Sequence, residues 1–264
     1  MPAIQPERLK VEVAELGKSF AQPARFLNRL RELLERYADR TRRSGQSGAP
    51  APLVPTFNTP APVMRRISRE MLTRVQQQPD LGLEVASQLW PEETLEIRQL
   101  AARLLAMSCP YAGPEALETL DRWAVPELDK DLLDILFQEA AAPVYLHMPD
   151  GYLELTSRYL DAAGSAQRAV GLLALRPLAD DPDFENLPVI FNQVGPVIAE
   201  VTPSLRPALL ELLQSLAARA PEETAFFLRQ IQLSQDSREP AWFLRQLKPY
   251  FPPALRRSLR DLHA

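Results

Sequence analysis

Apolar residues recur along this chain at spacings of three and four, not two. Between Arg25 and Arg40, the residues Phe26, Leu27, Leu30, Leu33, Leu34 and Tyr37 fall on one stripe of a 3.6-residue helix. Later stretches such as VMRRISREMLTRVQ, EETLEIRQLAARLLAM and SLRPALLELLQSLAA repeat the pattern, and no segment alternates convincingly with period two. The spacing predicts about 12 to 14 helices of roughly 10–17 residues with short connections. Residues 184–199 are the least regular: Pro188 and Pro196 interrupt them, leaving either one kinked helix or two short ones.

The chain of 264 residues has 26 Pro and only 9 Gly. Scarce Gly disfavours a protein built on tight hairpins. Abundant Pro normally opposes helix, but seven prolines stand where helices are expected to begin: Pro62, Pro79, Pro91, Pro114, Pro149, Pro203 and Pro221. The first turn tolerates Pro because its N–H lacks an intrahelical partner anyway. Acidic residues follow several of them (Glu92, Glu93, Glu115, Glu222, Glu223), the charge that a helix N-terminus favours. The expected fold is all-α, a right-handed α-solenoid of HEAT-like helix pairs, although no strict repeat period emerges. Residues 44–62 have no charge and hold five Pro, so they read as a linker or loop between N-terminal helices (1–43) and a helical body (63–264) of one continuous superhelix.

Net charge is −4, but it is unevenly spread. Residues 1–78 carry +7, residues 79–227 carry −15 and residues 228–264 carry +4. Basic ends suit a nucleic-acid partner, and the acidic middle repels one unless its carboxylates face away. Solvated helix faces would give the same blocks. Arg supplies 26 of the 30 basic residues, which suits phosphate forks.

Most catalytic signatures are missing: no phosphate-binding glycine loop, nucleophile elbow or zinc-protease helix occurs. One Cys and two His make a disulfide or zinc site improbable, and no metal or cofactor is expected. Cys109 reads as structural and His147 as a helix-end residue. No leader and no apolar run of about 18 residues is visible, so no membrane partner and a cytoplasmic location are expected. Trp90, Trp123 and Trp242 lie near helix ends and read as anchors between helices. The densest polar cluster runs from Glu127 to Asp134. Capping by Asp129 and first-turn acidity explain Asp129 and Asp131, and explain Asp134 less well.

Residues 58–72 (NTPAPVMRRISREML) resemble the segment that opens the first long helix of the AlkD-like HEAT-repeat DNA glycosylases, within the DNA alkylation repair superfamily. Residues 88–107 (QLWPEETLEIRQLAARLLAM) resemble that family's Leu-Trp…Glu-x-Arg-x-Leu-Ala helix through Leu89, Trp90, Glu96, Arg98, Leu100, Ala101 and Leu105. The resemblance implies excision of N3- and N7-alkylated purines without metal or cofactor. A carboxylate would stabilise the oxocarbenium-like sugar left by a departing cationic base. It places the catalytic Asp on Asp134 and one of two family arginines on Arg168. The cleft Trp falls on Lys130, a departure, and the other cleft Trp positions are not retained.

The expected function is therefore a DNA-binding HEAT-like repeat protein related to alkylpurine DNA glycosylases, with catalysis weak, altered or lost. If the chain is active, it is a metal-independent DNA N-glycosylase. Candidate contacts to duplex DNA are Arg42, Arg43, Arg65, Arg66, Arg69, Lys130 and Arg168. The alternative is a non-catalytic scaffold that holds a protein partner on the concave face of the solenoid.

Overall fold

The structure, a computed structural model, describes residues 4–39, 54–235 and 239–260. All regular elements among them are helical, so the all-α expectation is met. The chain divides into two compact units. The first holds α1 (Pro6–Gly17), α2 (Pro23–Tyr37), α3 (Ala61–Gln77), α4 (Pro79–Leu89), α5 (Leu95–Ser108), α6 (Gly113–Trp123) and α7 (Lys130–His147). The second holds α8 (Pro149–Leu160), α9 (Ser165–Asp180), α10 (Leu187–Ala199), α11 (Arg206–Arg219), α12 (Pro221–Gln235), α13 (Glu239–Leu247), a 3-10 turn over Lys248–Tyr250 and α14 (Pro253–Arg260).

Proline sets most of the helix starts. Pro62, Pro79, Pro114, Pro149 and Pro221 sit in first turns as expected, and Pro6, Pro23, Pro188, Pro207 and Pro253 do the same. Pro91 and Pro203 do not: α5 opens after Thr94, and Pro203 lies in the turn before α11. Residues 187–199 form one helix despite Pro196. Two further prolines, Pro143 and Pro177, lie inside α7 and α9, where each removes one backbone donor.

Within each unit the packing joins some sequence neighbours, such as α4 with α5 and α12 with α13, and some helices two apart. In the first, α3, α5 and α7 lie side by side, and α2 lies beside α4. In the second, α9, α11 and α13 form one row, and α10 lies beside α12. Each unit is thus two layers deep. Its core consists of the apolar stripes: Leu100, Leu104, Leu136 and Phe137 are buried in the first, and Leu172, Leu209, Leu212 and Phe243 in the second. Gly82 lets α4 approach α5 closely, since a Cβ there would collide with the Ser108 hydroxyl.

Two polar clusters fix the first unit. Glu12 of α1 accepts hydrogen bonds from Arg8 (3.0 Å), Arg36 (2.6 Å) and Tyr37 (2.8 Å), tying α1 to α2. Glu96 of α5 is a buried carboxylate. It accepts from Thr56 Oγ1 (2.8 Å) and from the backbone N–H of Phe57 (3.1 Å) and Thr59 (3.0 Å). The Leu95 N–H also donates to the Pro55 carbonyl at 2.9 Å. The described part of the Pro-rich stretch is therefore an ordered strap on α5, with Asn58 at a φ of 51°. Residues 44–53 lie outside the described residues.

Glu96→Ala leaves several donors without an acceptor, so unfolding in denaturant is expected to show a loss of about 3 kcal/mol. A variant as stable as the parent would mean that the strap contributes nothing. Burial tends to raise the Glu12 carboxyl, but the hydrogen bonds from Tyr37, Arg8 and Arg36 outweigh it and hold the group below its ordinary value of 4.5. A lowered carboxyl stabilises fully above that ordinary value and ceases to do so as pH falls through the folded value. Glu12→Gln should therefore unfold at a lower temperature than the parent at pH 7, with the gap closing in acid.

Candidate nucleic-acid interface

Arginines in the acidic middle of the chain are engaged by their own fold. In the first unit, Arg103 of α5 donates to Glu139 of α7 at 2.8 Å and to Ser68 of α3 at 2.9 Å, while Gln99 donates to the same Glu139 oxygen at 2.9 Å. In the second, Arg176 of α9 pairs with Glu211 of α11 at 2.8 Å, and Arg206 of α11 pairs with Glu239 of α13 at 2.6 Å. The rule is the same each time: an Arg of one odd-numbered helix meets a Glu of the next. Other guanidinium groups hold carbonyls. Arg98 donates to the Glu92 carbonyl at 2.5 Å and lies over the Trp90 ring, 5.4 Å from its centroid. Arg219 donates to the carbonyls of Leu178, Ala179, Pro182 and Phe184.

The α1–α3 face differs. An open groove of about 360 Å³ there is lined by Lys10 of α1 and by Arg65, Arg66 and Arg69 of α3. Glu7 is the one carboxylate among its lining residues. Lys10, Arg65 and Arg69 are exposed and Arg66 is half-buried. None of the four makes an ion pair among the described residues, and the buried Arg66 Nε has no hydrogen-bond partner there. Helix periodicity explains the cluster: Arg65, Arg66 and Arg69 are spaced by one, three and four on α3, opposite the buried Met64, Ile67 and Met71. Four cations and one carboxylate make a surface suited to phosphate oxygens. Lys10 was not expected from sequence, because α1 and α3 are far apart in the chain.

The other expected site residues are dispersed. Asp134 is half-buried on α7 and Lys130 is exposed in the first turn of the same helix. Asp134 and Glu139 flank the buried stripe of Leu133, Leu136 and Phe137 on opposite edges, so Asp134 lies on the edge away from the Arg103 pair. Arg168 belongs to the second unit. Its Nε donates to the Ala162 carbonyl at 2.7 Å, and its terminal nitrogens reach Glu200 at 3.3 and 3.4 Å. Sequence alone treated Arg168 as a phosphate contact, and the Glu200 partner comes from the turn that follows α10. Arg42 and Arg43 lie outside the described residues.

Trp90 and Trp123 stack on each other at 4.5 Å between centroids and 7° between planes, as an anchor between helices. Trp242 packs edge-on against Phe243 with Arg206 over its ring. Among the described residues no group of three His, Cys, Asp or Glu side chains is placed to hold a metal ion. No described helix is long and apolar enough to cross a membrane.

Helices packed in rows within each unit, with a basic groove on the first, define an all-helical protein. A family model described as DNA alkylation repair enzyme matches residues 30–246, and the chain belongs to that family. Among solved structures, the crystal structure of smu.31 from Streptococcus mutans UA159 is similar, with a TM-score of 0.50 and 13% identity. That match covers 73% of this chain and 97% of the other, and at this identity the likeness is one of fold. No curated protein matches the chain.

Cys109 is buried, its S–H donates to the Leu105 carbonyl at 3.4 Å, and burial pushes the thiol up to about 12. A maleimide at pH 8 should therefore label the native protein far more slowly than the unfolded one. Equal labelling rates would show that the thiol is reactive in the folded protein.

Proposed function

We propose that this chain binds duplex DNA through the α1–α3 face and that Asp134 is its excision carboxylate, working weakly. The observation that carries the binding reading is the quartet of Lys10, Arg65, Arg66 and Arg69, which forms no ion pair among the described residues, whereas Arg103, Arg176 and Arg206 each hold a carboxylate of a neighbouring helix. Membership of a DNA alkylation repair family supports the same partner.

The chemistry follows from charge. An N3- or N7-alkylated purine is cationic, and its departure leaves positive charge on the sugar, which a fixed carboxylate stabilises. Asp134 supplies such a group on α7. Lys130 stands one helical turn earlier, where the family resemblance places an aromatic ring. A ring face attracts a cationic base, and an ammonium repels it. The exchange weakens capture of a charged lesion while leaving phosphate binding intact.

Four phosphate contacts predict a salt slope near −4, hence a fall in affinity of about 100-fold between 50 and 200 mM salt. Anisotropy titration of a labelled duplex measures it. Arg65→Ala with Arg69→Ala should lower the slope by about two, and an unchanged slope would remove this face from the interface. For excision, the readout is 7-methylguanine released from methylated DNA. Slow release by the parent, none by Asp134→Asn and faster release by Lys130→Trp are expected. Release that survives Asp134→Asn would overturn the catalytic assignment.

A further inference from the structure

Helix α12 is apolar on two sides. Ala225, Leu228 and Ile231 are buried in the core. Facing away from them, Phe226 is 66% exposed and Leu233 is 88% exposed. Glu222, Phe226, Gln230 and Leu233 follow the spacing of one helix face, and Phe226 and Leu233 are its large apolar residues. Large apolar side chains in such a row on open surface mark an interaction site more often than isolated ones do.

The stripe borders an open groove of about 760 Å³ between α10 and α12. Its floor is Leu187, Pro188 and Phe191 from α10 and Phe227 from α12, with the Phe191 and Phe227 rings 4.8 Å apart. Three carboxylates rim it: Glu185, Glu222 and Glu223. None of the three forms an ion pair among the described residues. Arg229, on the same helix, is not among the lining residues. Helix-terminal placement explains why Glu222 and Glu223 are tolerated. It does not explain why Phe226 and Leu233 stand uncovered further along the same face.

The groove is segregated along its length. Its carboxylates cluster where α10 and α12 begin, and its rings lie one to two turns further on. From Glu222 to Gln230 the lining spans about 12 Å along α12. We infer that this groove docks a basic amphipathic helix of a partner protein, with Lys or Arg in one turn against Glu185, Glu222 and Glu223, and large apolar anchors in the next turns against Phe191, Phe226 and Phe227. Charge complementarity selects this occupant. Nucleic acid is repelled by three carboxylates, whereas a helix with i, i+4 anchors and an adjacent cationic turn satisfies both halves of the groove. The groove lies within the second unit and does not rest on the DNA-binding reading.

The probe is a fluorescent helical peptide of about 15 residues, with three lysines in its first turn and Leu, Phe and Leu at i, i+4 and i+7. Anisotropy with the full chain should show binding. A control peptide with Glu in place of each Lys should not bind. Glu185→Gln with Glu222→Gln and Glu223→Gln should weaken the complex about tenfold or more, as should Phe226→Ser alone. Phe226 is exposed, so that variant keeps the fold. Absence of binding, equal binding of the acidic control, or parental affinity in both variants would each overturn the inference. So would displacement of the peptide by a DNA duplex.

Discussion

A helix of ten to seventeen residues cannot hide its apolar stripe by itself. That constraint governs each unit. Burying a Leu or Phe contributes about 1.5–3 kcal/mol, and the stripes of α5, α7, α9 and α11 each bury several such residues against the helices on either side. Half-buried ion pairs contribute about 1 kcal/mol or less. Stacking is therefore set by the apolar faces, and the Arg–Glu pairs at the seams between odd-numbered helices follow from it. What those pairs decide is which charges remain for other molecules.

Seen in that way, the charge distribution has a physical account. The middle of the chain is strongly acidic, and half of its eight arginines hold carboxylates: Arg103 holds Glu139, Arg168 Glu200, Arg176 Glu211 and Arg206 Glu239. Each pairing removes a cation from the surface but leaves the excess carboxylates in place. On α1 and α3 the balance is reversed, with four cations around one carboxylate. The uneven net charge of the sequence thus becomes two distinct surfaces, a basic groove in the first unit and an acid-rimmed apolar groove in the second.

The helices were legible because their signals are local. Apolar spacing and first-turn prolines marked nearly every one, and the two prolines that misled, Pro91 and Pro203, each stand in a turn a few residues before the true start. The absence of a strict period also has a cause. Helices α5, α7, α9, α11 and α13 begin at residues 95, 130, 165, 206 and 239, so connections of unequal length blur the repeat. Yet Arg103, Arg176 and Arg206 meet acids 36, 35 and 33 residues later, a recurrence the sequence carried without advertising it. The fate of Arg168, the Glu96 strap and the place of Lys10 were not legible, since each depends on a partner brought close only by folding.

In the proposed function, Asp134 and Lys130 are where this chain departs from the chemistry that the family resemblance implies. The two residues stand four apart on α7, so they occupy the same side of the helix. A carboxylate stabilises a cationic sugar only insofar as nearby charges leave its field uncancelled. An ammonium one turn away opposes that field and also opposes approach of a cationic base. In the proposed function neither effect touches the phosphate contacts assigned to α1 and α3, because those depend on other helices. In the proposed function the binding surface and the reaction centre therefore rest on two separate sets of residues, and a substitution at position 130 is expected to affect only the second.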